Sequence, residues 1–306
     1  MRKLLNLFGM ALIAIAVLFP LSAKAAGKNV CQTLKESKTY QYNLDQKGKK
    51  ESIKVTTTKK EHKKGYVITY DVKTTVTIND RKIYSKIWRN QNYYQNHVKV
   101  MVTDVDKKDK QMELLIIEAD VSDISDSPAW ESDMEHIFYY QYVNGQAKRR
   151  QDLAPLFKKD FKNVFFLHGI KNNSFLTING KNEIYARVCT VMQKDEYGFE
   201  DCLHVKAGLM LKKGKFVPVS SKEYTILDVG GEEDISVKLK KNMTLYTQMG
   251  GKKKAFTMKS GEKIPAKSLY CIKNKKAYLR IKNKKGKWGY IELKKGLLEF
   301  DGVAHV

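Results

Sequence analysis

Past its first two dozen residues this sequence has almost none of the three-and-four apolar spacing that builds amphipathic helices, which excludes a helical bundle. It also lacks a second apolar run long enough to cross a bilayer as a helix. Acid is scarce: 33 Asp and Glu stand against 57 Lys and Arg, a formal charge of +24. None of His62, His97, His136, His168, His204 and His305 stands in an H-x-x-H or H-E-x-x-H spacing, so no zinc-hydrolase signature is present. There is no G-x-S-x-G elbow and no Walker loop. A cysteine nucleophile would need a free thiol beside a base, and Cys189 with His204 is the one pair to check. Cys189 sits in a strand-like run, which argues against that chemistry. Carboxylates are locally plentiful, but nothing singles out two as a glycosidase pair. The absences point to a non-catalytic binding protein. The alternative is a cell-wall-directed hydrolase whose active site is assembled across sheets and leaves no linear motif.

What is present starts at the N-terminus. Arg2 and Lys3 precede the apolar stretch Leu4–Leu21, and Ala23-Lys24-Ala25 follows as a small-residue cleavage site. That is the layout of a secretory signal peptide over residues 1–25. An uncleaved anchor is the rival reading, but Asn6, Gly9 and Pro20 within the stretch favour cleavage. Removal of Arg2, Lys3 and Lys24 lowers the charge from +24 to +21, and the remaining chain is long enough for two domains. Export turns this charge away from nucleic acid. The expected partners are anionic polymers outside the cell, peptidoglycan or teichoic acid of a Gram-positive wall, with solubility alone as the plainer role for the lysines. The protein is expected to be a secreted or wall-associated monomer.

The body of the chain alternates short runs rich in Val, Ile, Thr and Tyr with Gly, Asn, Asp and Lys, so the fold class is all-β. One short helix is predicted around Asp152–Phe161. The strands fall into three sets of about four, the size of a propeller blade. The first runs from "TYQYNL" to "KIYSKIW", the second from "HVKVMVTDV" to "QAKRRQDL", and the third from "NSFLTI" to "KFVPVS". The glycines and acids of "DVGGEEDI" (residues 228–235) mark a linker. The organisation expected is a signal peptide over 1–25, an N-terminal β domain over 26–231, and a small C-terminal domain over 232–306.

Two loops occupy the same place in the first two sets: residues 43–55, "NLDQKGKKESIKV", and residues 104–116, "DVDKKDKQMELLI". Closely spaced carboxylates beside a permissive turn can wrap calcium in oxygen. Both loops resemble worn calcium loops of FG-GAP/VCBS-type repeats, and the resemblance implies propeller-like antiparallel sheets. The first keeps Asp45, Gly48 and Glu51. The second keeps Asp104, Asp106, Asp109 and Glu113 and is the better candidate for calcium. It opens an acidic stretch running to Glu135, which reads as a cation site, a partner for basic segments, or a solvated loop.

From Glu232 onward there are 19 Lys and Arg against 7 Asp and Glu. The pattern from Val237 to Leu293 resembles the bacterial SH3-like domain: "MTLYTQ" enters a long loop, "AYLRIK" is a central strand and "GKWGYI" closes. The resemblance implies a small β-barrel and attachment to wall polymers or peptide-glycan. Tyr246, Tyr270, Tyr278, Trp288 and Tyr290 are candidates to line a groove. Lys284, Lys285 and Lys287 would meet phosphate or carboxylate. The plainer reading makes the aromatics partly core and the lysines guards of an exposed edge. Four cysteines in an exported chain favour disulfides: Cys189 with Cys202 across adjacent strands, leaving Cys31 with Cys271. Four buried thiols are the alternative.

Overall fold

The computed structural model describes residues 31–91, 97–106, 108, 111–120, 133–161, 164–169, 176–178, 182–194, 200–219, 223–227, 236–265, 267–294 and 296–301. The predicted signal peptide, the predicted linker at 228–235, Asp109 and residues 121–132 of the acidic stretch fall outside these residues. What is described is all-β, built from antiparallel sheets.

The first sheet is β2 (Thr39–Tyr42), β3 (Glu51–Lys64), β4 (Val67–Ile78) and β5 (Arg81–Gln91), paired in that order. The second is β6 (Val98–Thr103), β7 (Glu113–Asp120), β8 (Asp133–Val143) and β9 (Gln146–Asp152), joined on the β6 edge by β1 (Cys31–Leu34). A short helix, α1 (Ala154–Lys158), follows within the predicted span. The third sheet is β10 (Val164–His168), β12 (Glu183–Lys194), β13 (Glu200–Lys212) and β14 (Lys215–Pro218), with β11 (Thr177–Ile178) on β12. Each predicted set therefore lies within one sheet, and the second and third sheets each gain a strand that the sets did not include, β1 and β10. Tight turns enforce the hairpins: Asn79-Asp80, Asn144-Gly145 and Lys213-Gly214 all take positive φ at both central residues. That is the backbone whose twist matches paired strands.

Packing explains why the three sets differ in composition. Ile53, Val55, Val76 and Ile78 of the first sheet meet Val100, Val102, Leu114, Ile116, Phe138 and Tyr140 of the second. The other face of the second sheet, Met101, Leu115, Ile117, Ile137 and Tyr139, meets Leu167, Ile184, Val188, Val205, Leu209 and Phe216 of the third. The central strands β6, β7 and β8 are thus buried on both sides, and they carry consecutive apolar residues such as Leu114–Ile117. The first sheet alternates instead, because Lys54, Lys73 and Ser85 on its outer face meet solvent. The stack is open on that side. A charge lies inside it: buried Glu118 accepts a hydrogen bond from Tyr84 Oη at 2.8 Å and pairs with Lys86.

The C-terminal sheet has the order β15 (Glu223–Thr225), β19 (Leu269–Lys273), β20 (Lys276–Lys282), β21 (Trp288–Glu292), β17 (Met243–Tyr246), β18 (Lys254–Met258). A ribbon of β16 (Ser236–Leu239) and β22 (Leu298–Asp301) backs it. Leu239, Leu245, Met258, Leu279, Ile281, Ile291 and Leu298 fill the space between. The expected barrel is not formed: among the described residues no sheet closes on itself, and the ribbon covers the apolar face in place of closure. β15 precedes residue 232 yet supplies this sheet's edge, and Val205 bridges Ile226 across to the third sheet. Phe161 packs on Tyr224 and Tyr270 at 4.8 and 5.8 Å, so apolar packing runs unbroken from the third sheet into the C-terminal one.

Two neighbouring residues of β7 test the double burial. Ile116→Ala empties space against the first sheet and Ile117→Ala against the third, and each should cost about 2–5 kcal/mol in urea unfolding. Ser85→Ala on the outer face should change stability by less than about 0.5 kcal/mol.

Candidate functional site

Alternation along β20 and β21 places Leu279, Ile281 and Ile291 in the core and Arg280, Lys282, Trp288 and Tyr290 on the opposite face. Gly289 lies on the core side, where a Cβ would meet Leu245 and Phe256 at 2.7 and 2.8 Å. Its lack of a side chain lets β17 and β18 pack closely over β21. Arg280 lies over Trp288 with its guanidinium carbon 4.4 Å from the ring centre, and 5.7 Å from that of Tyr290. Lys282 approaches the Trp288 ring at 5.7 Å. Arg280 Nη1 donates to Glu223 Oε2 at 2.7 Å, and Tyr290 Oη donates to the other carboxylate oxygen at 3.4 Å. Glu223 therefore balances Arg280, and the free positive charge of this face comes from lysines.

Those lysines are held in place by a tied turn. The Asn283 side-chain oxygen accepts the backbone N–H of Lys285 at 3.0 Å and of Lys287 at 2.9 Å, and Gly286 takes a φ of 81°. Lys284, Lys285 and Lys287 stand exposed around it, next to half-buried Trp288 and Tyr290 and exposed Tyr246. Tyr246 is the register partner of Tyr290. Two of the five expected rings do not join this face. Tyr270 is 2% exposed, in the core beside Phe161. Tyr278 is 4% exposed, its hydroxyl against Gly250 in the loop between β17 and β18. The aromatic surface is three rings, not five. Arg280 and Lys282 were legible as alternate residues of "AYLRIK"; Glu223 was not, because it arrives from a strand more than fifty residues earlier.

The two loops compared with calcium sites are alike in structure, and in both the chain occupies its own carboxylates. Buried Glu51 accepts the N–H of Leu44 at 2.7 Å, and buried Glu113 that of Val105 at 2.7 Å. Asp45 and Asp106 each accept a backbone N–H two residues on, at 3.0 and 3.1 Å. Such bonds to ionised carboxylates are strong and stabilise the hairpin entry. Among the described residues, Asp104, Asp106 and Glu113 included, no group of three or more His, Cys, Asp or Glu is arranged to hold a metal ion.

The Cys31–Cys271 bridge is not formed; both thiols are free. Cys31 begins the exposed edge strand of the second sheet, whereas Cys271 is buried in the C-terminal sheet, where burial pushes its thiol up to about 12. Cys202 lies opposite Val191 in the register, one diagonal step from Cys189; its side chain lies outside the described residues. Cys189 and His204 are direct cross-strand partners, as the nucleophile test requires, but Cys189 is buried and disulfide-bonded, so it offers no free thiol.

No family model, curated protein or solved structure matches the chain. The geometry of the C-terminal face is what supports a functional reading.

Near Cys189 lies a buried basic cluster. Arg187 Nη2 is 2.9 Å from His168 Nδ1, and His204 is close by on the neighbouring strand. Burial, reinforced by the Arg187 charge, holds both histidines down to about 3. Between that value and the ordinary histidine value near 6.5 the unfolded chain binds more protons than the folded one, so stability falls as pH drops through this window. Each histidine adds a slope of up to about 1.4 kcal/mol per pH unit. Urea unfolding from pH 7 to pH 4 should show this loss, and His204→Gln should flatten it. A profile that His204→Gln leaves unchanged would show that His204 is not held neutral.

Proposed function

We propose that the chain is an exported, non-catalytic binding protein whose C-terminal sheet attaches to an anionic polymer of the cell wall, peptidoglycan or teichoic acid. The observation that carries this reading is the tied lysine turn beside the Trp288–Tyr290–Tyr246 surface. Asn283 fixes the backbone of the turn that carries the three lysines, so less backbone freedom is lost when they meet a row of phosphates or carboxylates. The adjoining rings offer apolar faces to sugar C–H groups or peptide stems. Wall attachment is also what the SH3-like resemblance implies. The stacked N-terminal sheets would then present a surface to a second partner, not identified by anything in the sequence.

The test is co-sedimentation of the purified protein with Gram-positive walls, with and without teichoic acid, at about 150 mM salt, where weak surface charge effects are screened. The protein should pellet with intact walls. The K284E/K285E/K287E variant should bind on the order of tenfold or more weakly with its melting temperature unchanged, because each lysine near an anionic surface contributes about 1 kcal/mol. Equal binding by the variant would remove the turn from the reading. Clearing of walls by the protein in a zymogram would replace it with the hydrolase alternative.

A further inference from the structure

The longest strands of the first sheet run past their neighbours. β2 pairs with β3 only as far as Lys54, and the pairing of β5 with β4 ends at Tyr70. Beyond Glu61 and Tyr70, β3 and β4 continue as a bare two-stranded ribbon, three residues on each arm and about 10 Å long. Gly65, at φ 63°, makes the turn. The ribbon's base is braced by His62 Nε2 against Asp71 Oδ2 at 3.1 Å and by Lys59 lying 5.5 Å from the Tyr70 ring centre.

Its tip reverses the usual rule for surfaces. Tyr66 is 105% exposed, Val67 61% and Ile68 39%. The other large exposed hydrophobics among the described residues, Ile87, Val217 and Tyr246, are scattered singly. Here three are consecutive at the end of a projection. Lys59, Lys60, Lys63 and Lys64 are exposed on the facing strand, with Glu61 as the single acid among them. A lone hairpin is marginally stable in water, and its apolar end gains nothing there.

We propose that this tip is a membrane-docking element that inserts Tyr66, Val67 and Ile68 into the interface of an anionic lipid bilayer. The lysines then meet lipid phosphates at headgroup level. The pairing of the two chemistries selects the partner: a soluble polyanion satisfies the lysines and leaves the tip in water, whereas a bilayer edge supplies phosphate and hydrocarbon within a few ångströms of each other. Long lysine side chains reach from a submerged backbone back to the headgroups. This surface is separate from the C-terminal face, and its binding does not depend on that face.

The test uses vesicles of phosphatidylcholine with and without phosphatidylglycerol, at about 150 mM salt. The exported, processed protein should sediment with the anionic vesicles and at least tenfold more weakly with the neutral ones. The Y66S/V67S/I68S and K60E/K63E/K64E variants should each lose at least tenfold on the anionic vesicles while unfolding as the wild type does. Emission from the Y66W protein should shift to the blue on vesicle addition, relative to wild type. Undiminished binding by the serine variant, or no blue shift in the Y66W protein, would overturn the proposal. So would tip-dependent binding to soluble teichoic acid as tight as to vesicles.

Discussion

Burial of the second sheet on both faces is the constraint on which the rest of the molecule depends. A sheet with one wet face can stand at the outside of a stack; one whose central strands carry apolar residues toward both faces cannot. Met101 and Val102, Leu114 and Leu115, Ile116 and Ile117 each send neighbouring side chains into different cores. Such a sheet needs a layer on either side, and the first and third sheets are those layers. Edge strand β1 adds to this: it comes before the first sheet in the chain but pairs with β6 of the second, so the N-terminal segment holds the two layers together.

The same constraint explains what could be read in advance. The strands of each predicted set fall within one sheet because each set is local: turns such as Asn144-Gly145 force consecutive runs to pair. Strands that pair at long range were not legible. β1 and β15 are short and carry no signal of the distant edges they join, Thr103 for Cys31 and Tyr270 for Tyr224. The C-terminal closing strands were found in order, but their closure into a barrel was an expectation from resemblance, and the ribbon of β16 and β22 covers the core instead.

Site residues followed a similar division. The lysine turn and the exposed rings follow from local alternation: Lys284, Lys285 and Lys287 are exposed on the turn and Trp288 and Tyr290 half-buried on the strand after it. Tyr270 and Tyr278 were misplaced because an aromatic in a strand gives no sign of whether its face will be covered, here by Phe161 and by the loop at Gly250. In the acidic loops the residue types were right for an ion, but a carboxylate serves a buried N–H equally well. Glu51 and Glu113 are used that way, accepting the N–H groups of Leu44 and Val105.

Positive charge is arranged to match: the buried carboxylates of the stack are satisfied from within, Glu118 by Tyr84 and Lys86 and Glu51 and Glu113 by backbone N–H groups, while lysines gather on turns and on the free hairpin. Native-state hydrogen exchange tests the central role of the second sheet most directly. Amides of β6, β7 and β8 should exchange only by global unfolding and be the slowest in the chain, with the ribbon beyond Glu61 and Tyr70 among the fastest. If β7 exchanged through a lower-energy opening while the C-terminal sheet stayed protected, the second sheet would not be the layer that holds the molecule together.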